Sequence, residues 1–211
     1  MEYLARKRDR NYRERRYSIM TESNPSTQSH VTDNQFFGSS CGDTYPSIDY
    51  ENITASTVEV STATQDDVDK LVLNIFESCH DEFFEDGVES SFSKQLRSQI
   101  FLHENKALMT ISNLVHNNKV KSEIASEALC LLGRLDHIPT YNFRCWILER
   151  SLFSIQPLVR DGAGLGIASL DDPNSIPYLE KAIENETLEG IRKDLRNVLC
   201  QLNETKQCLS Y

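Results

Sequence analysis

The chain has 211 residues, enough for one ordinary domain and a tail, and 22 basic against 32 acidic residues give a net charge of −10. That sign argues against a general nucleic-acid or anionic-membrane binder, because both surfaces repel most of the protein. No apolar run reaches the ~18–20 residues of a membrane helix, and six cysteines without CxxC or Cys/His zinc spacing read as the reduced thiols of a cytoplasmic protein.

Residues 1–19 carry Lys7 and arginines 6, 8, 10, 13, 15 and 16 against Glu2, Asp9 and Glu14. Two readings stay open: a basic arm for an anionic partner, or a start upstream of the true one at Met20. From Thr21 to Thr64 the composition turns to Ser, Thr, Asn, Gln and Gly, with no Lys or Arg between Arg16 and Lys70. Residues 1–64 therefore read as a disordered leader, too poor in hydrophobes to offset the entropy of ordering. Within it Phe36, Phe37, Tyr45, Ile48 and Tyr50 are incidental aromatics and aliphatics of a coil or a short docking motif. Asn-x-Thr triplets at Asn52, Asn185 and Asn203 read as chance matches, because no secretion signal accompanies them.

The helical domain is expected over 65–204, with a polar tail over 205–211. Val68, Leu71, Val72, Ile75, Phe76, Cys79 and Phe83 recur at helical spacing, and Asp66 and Asp67 sit at the positive end of that helix. Asp81, Glu82, Glu85 and Asp86 with His80 read as a solvated acidic end rather than a metal site, because helix neighbours diverge and no ligand loop is present. Phe92, Leu96 and Ile100 open the next helix; Ala107, Leu108, Ile111, Leu114 and Val115 mark another, ended by Asn117-Asn118. A unit from Lys121 runs through Leu135, turns at Asp136–Pro139 and continues with Tyr141, Phe143, Trp146, Ile147 and Leu148.

The most regular stretch is Pro157 to Ile183. Val159, Ala163, Leu165, Ile167 and Leu170 give one apolar stripe, and Ile176, Leu179, Ala182 and Ile183 give a second. Pro157 suits a first-turn position, and Asp171 or Asp172 caps the following helix with Pro173 at its first position. A shift of 35 residues lays Ile124 on Val159 and Leu135-Asp136 on Leu170-Asp171; a shift of 32 lays Ile191-Arg192 on Val159-Arg160. A period in the thirties with two helices per unit predicts an all-α fold, an α-solenoid of stacked antiparallel helix pairs. A last helix is expected from about Thr187 to Leu202.

The pattern Val159, Arg160, Ala163, Leu170, Asp171, Ile176, Pro177, Leu179, with Arg192 on the matching position of the next unit, resembles the HEAT-like repeats named after phycobilisome lyases. The resemblance covers about 88–204, is specific at 159–183, and is shared with HEAT-repeat proteins common in cyanobacteria. It implies an armadillo-type superhelix in which the Val-Arg helices, about 121–134, 157–170 and 188–202, line a concave face. Glu123, Glu127, Asp161, Lys193 and Asp194, with a groove at Gly162 and Gly166, are then the candidate partner-binding residues. It also implies that Arg160 braces adjacent units through an acidic residue; Ser154 stands near that place, and Arg192 has Asn185 or Glu186 within reach.

Other chemistry is weaker. Gly162-Ala163-Gly164-Leu165-Gly166 lacks the strand that feeds a phosphate loop, so close helix packing is the better account. Deoxyhypusine hydroxylase, a HEAT-like enzyme, binds iron through several His-Glu pairs, and this chain has the single pair His103-Glu104. Cys130 or Cys145 beside His137 lacks an orienting partner for a nucleophile. The expectation is a non-catalytic protein-binding scaffold with no cofactor and another protein as partner. The alternative implied by the resemblance is a lyase-type subunit or chaperone for a bilin or a phycobiliprotein. Trp146, Tyr141, Phe143 and Phe153 are expected as core, and any part left exposed as the anchor for a partner.

Overall fold

A computed structural model describes residues 63–79, 84 and 89–209. The basic arm, the acidic group at His80, Asp81, Glu82, Glu85 and Asp86, and the expected disordered leader up to residue 62 lie outside them, whereas Ala63 and Thr64, expected in that leader, are ordered against the helices. All regular structure among the described residues is helical: α1 (Gln65–Ser78), α2 (Ser91–His103), α3 (Asn105–His116), α4 (Ser122–Arg134), α5 (Tyr141–Ser151), α6 (Pro157–Leu170), α7 (Ile176–Asn185) and α8 (Glu189–Cys208). Short 3-10 turns, Ile138–Thr140 and Pro173–Ser175, precede α5 and α7.

Local chemistry starts these helices where the sequence places it. Thr64 caps α1: its hydroxyl accepts from the Asp67 N–H while the Asp67 carboxylate accepts from the Thr64 N–H. Pro157 occupies the first turn of α6. Of the two candidate caps, Asp172 accepts from the Asn174 N–H at 2.9 Å. Asp171 instead closes α6 in the left-handed region at φ 53°, and its carboxylate accepts from Gln201 Nε2 at 2.6 Å and Thr205 Oγ1 at 2.8 Å. Those contacts hold the end of α8, so residues expected as a polar tail are helical through Cys208.

The helices form two successions of neighbours. α2 packs on α4, α4 on α6 and α6 on α8; α1 packs on α3 and α3 on α5. The buried residues Val72, Phe76, Leu96, Leu108, Ile111, Leu129, Leu132, Ile147, Leu148, Ile167, Leu179 and Leu195 belong to one continuous core between them. Val159, Ala163 and Ile176 are buried within it as the repeat pattern requires, whereas Pro177 is exposed and Leu165 and Leu170 are half-buried at its edge.

The closest contact joins α4 to α6, and glycine makes it possible. A Cβ on Gly133 would stand 2.2 Å from the Gly166 carbonyl oxygen, and one on Gly162 would stand 2.7 Å from Ser126 Cα. One on Gly166 would lie 2.7 Å from the Leu129 carbonyl oxygen. Backbone rests on backbone, which offsets the roughly 1 kcal/mol that each helical glycine costs against alanine.

Polar braces join the later helices. Arg160 pairs with both oxygens of Glu186 at 2.7 and 2.8 Å and also donates to the Ser154 carbonyl at 2.9 Å. Glu186 in turn accepts from the N–H groups of Thr187 and Leu188 at 2.8 and 2.9 Å, where α8 begins, while Arg192 donates to its main-chain carbonyl. The acidic partner of the arginine is therefore Glu186, and Ser154 contributes through its backbone alone.

Candidate functional site

The residues expected on a binding face are not all at the surface. Asp161, Gly162 and Gly166 are buried, the glycines inside the α4–α6 contact. Neighbouring backbone fills the space beside both glycines and Asp161 is itself buried, so these three are withdrawn from the candidate face. Glu123, Glu127 and Asp194 are half-buried and Lys193 is exposed. Glu127 is tied down, accepting from Ser93 Oγ at 3.0 Å and from Arg134 at 3.2 Å.

Large apolar side chains are exposed at several places, Leu71 on α1, Phe101 on α2 and Met109 on α3 among them, and two of the aromatic ones, Trp146 and Phe153, lie on α5 and just after it. Trp146 is 43% exposed and Phe153 is 42% exposed. Phe143, Trp146, Arg150 and Phe153 follow one another at i, i+3, i+7 and i+10, so they share one side of α5 and of the turn that follows it. The Phe143 and Trp146 rings lie 5.7 Å apart, and the edge of the His116 ring from α3 meets Trp146 at 5.7 Å. The Arg150 guanidinium sits 5.5 Å over the Trp146 ring, and the Lys181 ammonium of α7 sits 5.7 Å from the Phe153 ring centre. Aromatic faces attract both cations. Among the described residues, neither cation has a carboxylate in ion-pair reach. The result is a stripe of alternating ring and cation on a chain of opposite net sign.

His116 sets the floor of this stripe. Ser151 gives its hydroxyl proton to the Ile147 carbonyl at 2.7 Å, which leaves its oxygen to accept from His116 Nε2 at 3.1 Å. Nδ1 then accepts from Ser112 Oγ at 3.0 Å. Burial pushes the ring's pKa down, and the Arg150 charge pushes the same way against a hydrogen bond to the Ile147 carbonyl. The ring so held stands edge-on to the indole beside it.

The residues weighed for chemistry fall apart in space. Cys130 is buried with its sulfur 3.8 Å from the Gly162 carbonyl oxygen, and burial pushes the Cys145 thiol up, away from a reactive thiolate. His137 meets Thr140 Oγ1 at 3.0 Å and packs on Phe101, with ring centres 4.6 Å apart. His103 is buried at the end of α2 while Glu104 is exposed with φ 47°. Tyr141 donates to Asp172 at 2.8 Å, and burial together with that bond pushes its phenol up.

Sequence reasoning missed Arg144, which is 1% exposed. It donates to the Leu132 carbonyl at 2.5 Å, the His137 carbonyl at 3.2 Å and Thr140 Oγ1 at 3.2 Å, and so closes the carboxyl end of α4. Its signal was available: position 144 falls on the same helix side as Ile147, Leu148 and Ser151. Gly133 was missed as well, because the 35-residue shift lays it on Ala168 and gives no sign of its contact with Gly166. No protein-family model matches the chain, and no curated protein or solved structure matches it at a significant level.

Proposed function

We propose that the chain is a non-catalytic protein-binding module, a short HEAT-like α-solenoid that holds a partner against the Trp146 stripe. The solenoid reading is supported by the repeated hairpins and by the succession α2–α4–α6–α8 beside α1–α3–α5. The observation that carries the functional reading is the exposed run Trp146, Arg150, Phe153 and Lys181, since a half-exposed aromatic with a cation upon it is the side-chain type that dominates binding energy at interfaces. The alternative face is Glu123, Glu127, Lys193 and Asp194 on α4 and α8, of which Glu127 is already held by Ser93 and Arg134.

Affinity capture from the source cells tests this. Trp146→Ala and Arg150→Glu are expected to lose the partner at an unchanged melting temperature, and Lys193→Ala is expected to keep it. The reverse pattern returns the binding face to α4 and α8. The bilin alternative is separated in the same preparation: free bilin and phycobiliprotein subunits are added, and a visible-absorbance shift with co-elution supports it.

A further inference from the structure

We propose that His116 is a proton-operated catch between α3 and α5: the neutral ring ties the two helices together beside Trp146, and the imidazolium lets that seam open. The catch goes beyond the binding reading and does not depend on it.

The hydrogen bonds around the ring run in one direction. Ser151 is fully buried and gives its proton to the Ile147 carbonyl, so its oxygen accepts from His116 Nε2. Nδ1 is thereby left to accept from Ser112 Oγ, one turn back on α3 and buried in its turn. Ser112, His116, Ser151 and Ile147 form a relay that crosses from the end of α3 to α5, with each donor used once. A second ring proton arrives at Nδ1, where the Ser112 hydrogen already points. That bond must then reverse or break.

Nothing nearby compensates the charge. Among the described residues no carboxylate lies in ion-pair reach of His116. α3 packs on α1, α2, α4 and α5. Asp69 of α1 binds Thr110 in the first half of α3, and Lys106 at its start binds the Ala63 carbonyl. Arg97 of α2 faces Glu89, and Glu127 and Arg134 of α4 face each other. From α5 comes Arg150, a further cation, which sits 5.5 Å over the Trp146 ring that His116 meets at 5.7 Å. Burial, with the Arg150 charge, holds the imidazole below its ordinary 6.5 against the hydrogen bond to the Ile147 carbonyl. A histidine so depressed contributes stability that is complete above the unfolded value and is lost as pH falls through the folded one. The seam is therefore closed at neutral pH and opens in mild acid.

Trp146 is the sole tryptophan, so its fluorescence in the full chain reads the seam directly. Between about pH 7.5 and about pH 5, the range in which histidine changes charge, the wild type is expected to show one step in Trp146 emission. Acrylamide quenching is expected to rise at the same midpoint, below 6.5, while the helical circular-dichroism signal persists. His116→Gln keeps a donor and an acceptor without a titrating ring, and is expected to show no step. Arg150→Gln removes the neighbouring cation and Ser112→Ala removes the donor at Nδ1; both are expected to move the midpoint upward. No step in the wild type, or a step that persists in His116→Gln, overturns the proposal. So does an emission step with unchanged acrylamide quenching, because the ring then titrates inside a closed seam. Should His116→Gln fail to fold, Arg150→Gln decides, and an unmoved midpoint overturns the proposal. None of these measurements uses a partner, so their failure leaves the binding reading to the capture experiment.

Discussion

At the contact of α4 with α6, Gly133 faces Gly166 and Gly162 faces Ser126, so that main chain lies on main chain. At the corner of α1 with α2, Phe76 meets Phe92 edge to face with ring centres 5.1 Å apart, and Phe84 meets Phe92 at 5.8 Å. Gly133, Gly162 and Gly166 at the one contact and Phe76 and Phe92 at the other are buried, yet the two tolerate change differently. A ring corner can repack by rotating side chains, whereas a main-chain contact has no rotamer to spare. The later helices add a polar brace on Glu186, so their stability depends on charge as well as on fit.

The largest effect is expected at that brace. Glu186→Ala strands the Arg160 guanidinium, whose side chain is 15% exposed, and should cost about 3–5 kcal/mol in urea unfolding. A loss below that range would mean water satisfies Arg160 and the brace is dispensable. The brace also sets a pH dependence. Burial raises the Glu186 carboxyl, but Arg160 and the Leu188 and Thr187 N–H groups outweigh it and hold the pKa below the ordinary 4.5. A depressed carboxyl contributes stability that is complete above the unfolded value and fades as pH falls through the folded one. Melting temperature should therefore drop below about pH 4.5, and less steeply in Glu186→Gln.

Gly133→Ala places a methyl on the Gly166 main chain and should cost about 1–3 kcal/mol, at the upper end of overpacking. Phe92→Leu at the other corner keeps most of the volume and should stay under ~1.5 kcal/mol. Equal costs at the two positions would erase the distinction between them. The smallest effect is the cap: Thr64→Ala should lower stability by about 1 kcal/mol, read in the same denaturation.

Much of this was legible beforehand, for local reasons. The helices α6 and α7, Pro157 in a first turn and the acidic start of α1 depend on neighbours three or four residues away and appear where the spacing puts them, although Leu165, Leu170 and Ile183 of the expected stripes are only half-buried. The candidate site was read less well. Asp161 looked like a surface charge and is buried; Trp146 looked like core and is half-exposed. Glu186 was named only as a reach for Arg192, yet its carboxylate holds Arg160. The expected α8 terminus fell short because the residues that fix its end, Asp171 and Thr205, lie 34 positions apart.

The sequence by itself determined that the described residues between Gln65 and Cys208 are helical apart from short turns, and where most of those helices begin. Periodicity and caps act within a turn or two, and one chain suffices to show them. Only the tertiary structure decided which glycines are contacts, which arginine is buried without a carboxylate, and which side of α5 faces outward. Those depend on what the next helix brings to the same place, and no local pattern carries that.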